Sequence, residues 1–278
     1  MRHLAAGRLT SVYGGAVDVE VRGVRLSVDV QGSGPTLVWG HGLTSSRRRE
    51  DELGGLFGWS GLASAGRATV VRYDARGHGR SAATPDAADY RWPSLALDEW
   101  ALVDALGLER PVLGGASMGA ATALHAAMAR PEDVAGLVLV IPPTAWATRR
   151  AQAELYAGGA ALVEAEGVGA LVEASAASPV PAPFRDLPEA PRPLPDVAED
   201  VLPTVLRGAA TSDLPEPDAL RSLDVPAVVL AWAGDDGHPV ATAAVLAETL
   251  PRATLEVAED LATVLAWPER VAELLAST

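Results

Sequence analysis

Gly114-Gly115-Ala116-Ser117-Met118-Gly119 is the stretch from which the rest of the chain is read. Ahead of it stands Arg110-Pro111-Val112-Leu113, short and apolar, with the character of a buried strand. Behind it runs Ala120 to Met128, rich in alanine and therefore helix-forming. A strand that bends into a helix at a serine, with glycines two before and two after, has the G-x-S-x-G form of a nucleophile elbow. The glycines follow from sterics: the serine sits in a strained turn, and side chains at 115 and 119 would collide across it. The helix that follows aims its amides and the positive end of its dipole at the hydroxyl, a setting for an oxyanion. The spacing also occurs in glycine-rich turns without chemistry; here the strand–turn–helix context favours the catalytic reading.

On the N-terminal side, Val17 to Val21 and Val24 to Val30 alternate apolar and polar around Arg22-Gly23, which predicts an antiparallel hairpin. Thr36 to Trp39 and Thr69 to Tyr73 are continuously apolar or nearly so, as buried parallel strands are. Each ends in a polar, glycine-bearing loop: Gly40-His41-Gly42-Leu43-Thr44 after the first, Asp74 to Ser81 after the second. An irregular helix is expected over 49–64 and a regular one from Trp92 to Leu106. Ala135 to Ile141 is a further strand, stopped by Pro142-Pro143. The pattern resumes with a strand from Pro226 to Trp232, a helix near 240–250, a strand from Ala253 to Val257 and a last helix from about Pro268 to Leu275.

Between these blocks, residues 144–222 show no strand pattern. Two alanine-rich helical stretches (about 146–176 and 196–209) flank Pro179 to Pro195, which contains seven prolines. A disordered linker would be poorer in apolar residues, so a helical lid with a stiff connector is expected. The division is then a core of 1–143 and 223–278 with a lid of 144–222. Alternation of strand and helix predicts an α/β fold, a mostly parallel eight-stranded sheet with helices on both faces. In such sheets, sites form at the carboxyl ends of strands, where every loop named above lies.

Composition narrows the function classes. The chain has 278 residues, no cysteine, no lysine and a net charge of −14. Disulfides, thiolate catalysis and cysteine-held metals are excluded. The acidic balance argues against nucleic acid and anionic membrane surfaces as partners. No apolar run is long enough to span a bilayer. Met1 to Gly7 contains no hydrophobic signal core, so a cytoplasmic protein is expected. The histidines lack ligand spacing, so no metal is expected, and nothing calls for a cofactor. Oligomeric state is left open by the sequence.

Three blocks, in order, resemble the α/β-hydrolase superfamily: His41-Gly42, Asp74-Ala75-Arg76-Gly77-His78-Gly79-Arg80-Ser81, and Gly115 to Gly119. The insertion after Ile141 and the loop after Trp232 fit as well, and the resemblance covers nearly all of the chain from about residue 16. It implies Ser117 as nucleophile and the backbone amides of Leu43 and Met118 as oxyanion hole. It implies His41 and Gly42 beside the substrate, although this histidine mainly holds backbone in place. The acid would be Asp235, four residues before Pro239, with Asp236 as the near alternative. Either aspartate could instead serve a turn or a helix N-cap. A glycine is usual three residues before the acid; Trp232 stands there instead.

The match fails at one point. The family's last site residue is a histidine in the loop after the final strand. Here that stretch reads Val257-Ala258-Glu259-Asp260-Leu261-Ala262, and no histidine follows His238. A serine hydroxyl needs a base to take its proton and return it. Of the five histidines, His3 is terminal, His78 belongs to the Gly-His-Gly turn, His125 lies two turns down the elbow helix, and His41 is on the oxyanion loop. His238, three residues past Asp235, is the substitute base this sequence offers; its competing reading is a packed loop histidine ahead of Pro239. Glu259 or Asp260 could act only with a raised pKa in a dry site. The functions in play are a serine hydrolase of a carboxylic ester, lactone or thioester, a non-hydrolytic cyclase, lyase or isomerase, and a ligand-binding pseudo-hydrolase. All three take a small, partly apolar molecule.

Overall fold

The structure, a computed structural model, describes residues 16–53, 56–57, 59–187 and 194–278. The stretch read for a signal core, and residues 188–193 of the proline-rich connector, lie outside the described residues. Among the described residues, eight strands form one sheet: β1 Val17–Val21, β2 Val24–Gly32, β3 Thr36–Gly40, β4 Thr69–Tyr73, β5 Val112–Ala116, β6 Gly136–Val140, β7 Ala227–Trp232 and β8 Ala253–Ala258. Their order across the sheet is β1-β2-β4-β3-β5-β6-β7-β8. The β1–β2 and β2–β4 pairs are antiparallel and the other pairs parallel. Among the described residues there are ten α-helices: α1 Arg47–Glu52, α2 Trp59–Ser64, α3 Trp92–Leu106, α4 Met118–Ala129, α5 Arg149–Glu166, α6 Val168–Ser175, α7 Leu202–Ala210, α8 Pro217–Leu220, α9 Val240–Thr249 and, after the last strand, α10 Leu261–Ser277.

The apolar runs of the central strands are explained by burial on both faces. Leu137 and Leu139 of β6 point into one core with Leu95, Trp100 and Leu124, and Leu246 joins them there. Val138 and Val140 point into the other, with Trp59, Leu62, Trp267 and Val271. Period-two alternation thus splits one strand between two cores. Burying each such side chain contributes about 1.5–3 kcal/mol before entropy is subtracted.

Three expectations need correction. The stretch at 49–64 is two short helices, α1 and α2, not one. The long helical stretch after residue 146 breaks at Gly167, whose φ of 86° leaves the helical region. The last helix begins at Leu261, not near Pro268. Proline is favoured in a first helical turn, which set the expected start, but the Asp260 side chain accepts from the Thr263 amide and starts the helix earlier.

Between β6 and β7, helices α5, α6 and α7 pack through Ala160, Val163, Leu202 and Leu206, joined by Leu43 of the β3 loop and by Tyr156. The returning chain is fastened to the sheet at Asp196. Its Oδ2 accepts from Ser46 Oγ at 2.5 Å, its Oδ1 from Arg48 at 2.6 Å, and its amide donates to the Thr44 carbonyl at 2.7 Å. The insertion therefore rests on the loop that leaves β3.

Candidate active site

Ser117 lies between β5 and α4 with φ 53° and ψ −108°. Such a backbone costs a non-glycine residue about 1–3 kcal/mol and is stable only when its surroundings impose it. They do so by close packing: a Cβ on Gly119 would overlap the Gly40 carbonyl, and one on Gly115 would overlap Gly119. The turn places Ser117 at the carboxyl end of β5, a central strand of the sheet. A Cβ placed on Gly42 would lie 3.8 Å from Ser117 Cβ, so the β3 loop borders the hydroxyl. Met118 is the first residue of α4, where a helix has amides without an intrahelical partner. Among the described residues, no backbone acceptor is found for the amide of Met118 or of Leu43.

His238 Nε2 stands 2.8 Å from Ser117 Oγ, and its Nδ1 stands 2.9 Å from Asp235 Oδ2. The loop achieves this by curling on itself. Asp235 Oδ1 accepts from the amides of Gly237 at 3.0 Å and His238 at 3.2 Å, and the His238 amide also reaches the Asp235 carbonyl. This turn brings two side chains three residues apart into contact. The Asp235 carboxyl is held down to about 2: partial burial pushes it up, but His238, the Trp232 indole and the Gly237 amide outweigh that. An ionised carboxylate only accepts, so the proton of neutral His238 sits on Nδ1 and Nε2 is left to accept from Ser117.

The remaining sequence candidates are placed elsewhere. Asp236 is exposed, and among the described residues its side chain has no hydrogen-bond partner. His41 is buried and turned inward: Nε2 accepts from the Ala75 amide at 3.0 Å and Nδ1 donates to the Gly42 carbonyl at 2.8 Å. Both of its nitrogens are thus bound to backbone. Burial lowers its pKa, and its neighbour His78 is lowered to about 3 by burial and by His41. His125 Nε2 is 2.8 Å from the Asp213 carbonyl. Asp260 caps α10 and Glu259 is exposed, so the loop after β8 supplies no base. Among the described residues, no group of three or more His, Cys, Asp or Glu could hold a metal ion, and no helix is long and apolar enough to cross a membrane.

Sequence reasoning missed Trp232 as part of the site. Its Nε1 donates to Asp235 Oδ2 at 2.7 Å. The one signal was the tryptophan standing where the family has glycine.

Comparison with known proteins adds to this geometry. The model of the alpha/beta hydrolase fold matches residues 35–166. A Caulobacter sp. (strain K31) protein named for carbamate hydrolase activity, RutD, is 30% identical over 233 residues, 78% of this chain and 85% of that one. The chain belongs to the alpha/beta hydrolase family. Other alpha/beta hydrolase relatives match in part. An epoxide hydrolase of Caballeronia sordidicola is 35% identical over 118 residues, 41% of this chain, and the match spans only a third, 33%, of that protein. The solved structure of a thermophilic esterase from Thermogutta terrifontis superposes with a TM-score of 0.75, covering 95% of this chain and 97% of that one at 24% identity, a likeness of fold. The curated and structural relatives of this alpha/beta hydrolase are hydrolases of several kinds.

Proposed function

We propose that the protein is a serine hydrolase that cleaves a carboxylic ester, lactone or thioester through an acyl-enzyme on Ser117. The observation that carries this is the continuous line of contact from Ser117 Oγ through both nitrogens of His238 to Asp235. In this reading His238 Nε2 takes the hydroxyl proton as Oγ attacks the carbonyl carbon. Asp235 holds the imidazole in the tautomer that can accept, then stabilises the imidazolium. The carbonyl oxygen gains negative charge next to the amides of Leu43 and Met118, and the strained turn aims both the hydroxyl and the α4 N-terminus at that point. His238 returns the proton to the leaving oxygen or sulfur. Water then enters by the same route in reverse, releasing the acid and restoring Ser117.

Residues 144–222 act as a lid over this site. Leu43 of the β3 loop, Tyr156, Val168 and Leu171 are each partly buried against the Ala160, Val163, Leu202 and Leu206 cluster of the insertion, and this apolar setting supports a partly apolar substrate. The test is turnover of p-nitrophenyl acetate followed from the first seconds. A burst of nitrophenol near one equivalent, absent in Ser117→Ala, is expected. Equal turnover by wild type and Ser117→Ala would overturn the reading.

A further inference from the structure

We infer that Trp232 is a positioning residue for the proposed reaction, fixing Asp235 through a hydrogen bond from its indole and fastening the acid–base loop to the sheet. This rests on the Ser117–His238–Asp235 reading given above. Asp235 has four donors around its two oxygens. Oδ1 takes the amides of Gly237 and His238, and Oδ2 takes His238 Nδ1 at 2.9 Å and Trp232 Nε1 at 2.7 Å. A carboxylate offers about four acceptor directions, so all of them are used and the group cannot rotate.

Three of those donors belong to the loop itself and would move with it. The fourth belongs to β7. Trp232 is the last residue of that strand, is buried, and pairs with Ala258 of β8. Its ring stacks on Trp267 of α10 at 6.1 Å and 16°, and meets Phe184 edge-on at 5.1 Å and 84°. Apart from the His238–Ser117 contact, the loop is tied to its surroundings among the described residues by backbone bonds, such as those from Ala182 to the Ala233 carbonyl, from Ala233 to Ala258 and from Thr144 to the Gly237 carbonyl. The indole is therefore the side-chain link between the Asp235 carboxylate and a rigid element.

Its neutrality matters as well. An arginine in this place would cancel the carboxylate charge that His238 needs when it becomes an imidazolium; an indole N–H orients the group and leaves the charge in place. The other ionisable groups around Asp235 among the described residues are Tyr156 of α5, whose phenol is pushed up by burial and, to a lesser degree, by Asp235, then Asp236 beside it, and Arg185, whose guanidinium approaches Gly234. A base set on the same loop as its acid lacks a second element to hold the pair, and Trp232 supplies it.

The experiment is the rate of Ser117 labelling by a fluorophosphonate in Trp232→Phe, which retains a ring against Phe184 and Trp267 but has no donor. Labelling is expected to slow by about tenfold, the size of one hydrogen bond to a charged group. The same loss is expected in kcat for p-nitrophenyl acetate, with KM unchanged. In an Asp235→Asn background the substitution should have no further effect. Trp267→Phe is the packing control: the Trp267 indole nitrogen has no partner among the described residues, so this variant disturbs the same stack and removes no hydrogen bond. It should label at the wild-type rate. Should Trp232→Phe not fold, the indole proton of Trp232 in the wild type gives the answer by NMR, and its resonance must shift in Asp235→Asn. An unshifted resonance, a Trp232→Phe enzyme with the wild-type rate, or equal slowing by Trp267→Phe overturns the inference. Wild-type protein that fails to label at Ser117 overturns the serine-hydrolase reading, and this one with it.

Discussion

The loop after β7 and the loop after β8 leave the sheet side by side, from strands in which Trp232 pairs with Ala258. The first runs from Ala233 to Pro239 and brings both Asp235 and His238 to Ser117. The second is only Glu259 and Asp260 before α10 begins, and its aspartate is spent on capping that helix. Family resemblance puts a histidine on the second loop; here the imidazole within reach of Ser117, that of His238, comes from the first. What the chemistry requires is an imidazole nitrogen at hydrogen-bond distance from the hydroxyl, oriented by a carboxylate. Chain order is free so long as that geometry is met. Beside the second loop, Trp232, Trp267 and Val264 lie in one apolar cluster, with Leu261 packed against it.

The sharpest way to break this contrast is His238→Ala. It should lower kcat for ester hydrolysis by about four to six orders of magnitude, measured against an unchanged melting temperature. A rate near wild type would return the base to some other residue. Next in size is the acid. Asp235→Asn should cost about ten-thousandfold in kcat by allowing the wrong tautomer of His238, whereas Asp236→Asn should leave the rate unchanged. Equal losses would mean that the loop as a whole matters and its carboxylates are not distinguished.

How much of this was legible in the sequence differs between the same two loops. Elbow, strands and the mostly parallel sheet could be read because each rests on local pattern: apolar runs, glycines at 115 and 119, and the alternation of strand with helix. His238 could be named from its spacing to Asp235, but spacing does not say which way a loop curls. That is set by Asp235 Oδ1 gathering the Gly237 and His238 amides, a bond pattern that several other turns compete with. Trp232 was read only as an irregularity, since its partner depends on the direction of an indole at a strand end. The start of α10 was misplaced because Pro268 is as compatible with a first turn as with a bend further along. The Asp196–Ser46 tie spans 150 positions and leaves no local trace.

Smaller effects sharpen the comparison further. Both loop aspartates have lowered pKa values, for different reasons: Asp235 against partial burial through His238 and Trp232, Asp260 through the backbone and hydroxyl of Thr263. A carboxyl held at about 2 in the folded state and near 3.9 when unfolded contributes stability that is present above the higher value and lost as pH falls through the lower. Acid unfolding between about pH 4 and 2 should therefore be shallower in Asp235→Asn than in wild type, as followed by circular dichroism. Asp260→Ala should lower Tm by a few degrees through loss of the α10 cap and leave kcat as it was. A fall in kcat there would give the β8 loop a part in the chemistry.

The most direct measurement is intact-mass and peptide mass spectrometry of the protein during exposure to a fluorophosphonate, comparing wild type with His238→Ala. A single adduct on Ser117, forming readily in the wild type and orders of magnitude more slowly without His238, is the expected result. An adduct elsewhere, or a Ser117 adduct that forms equally fast in both, would contradict the assignment of His238 as the base.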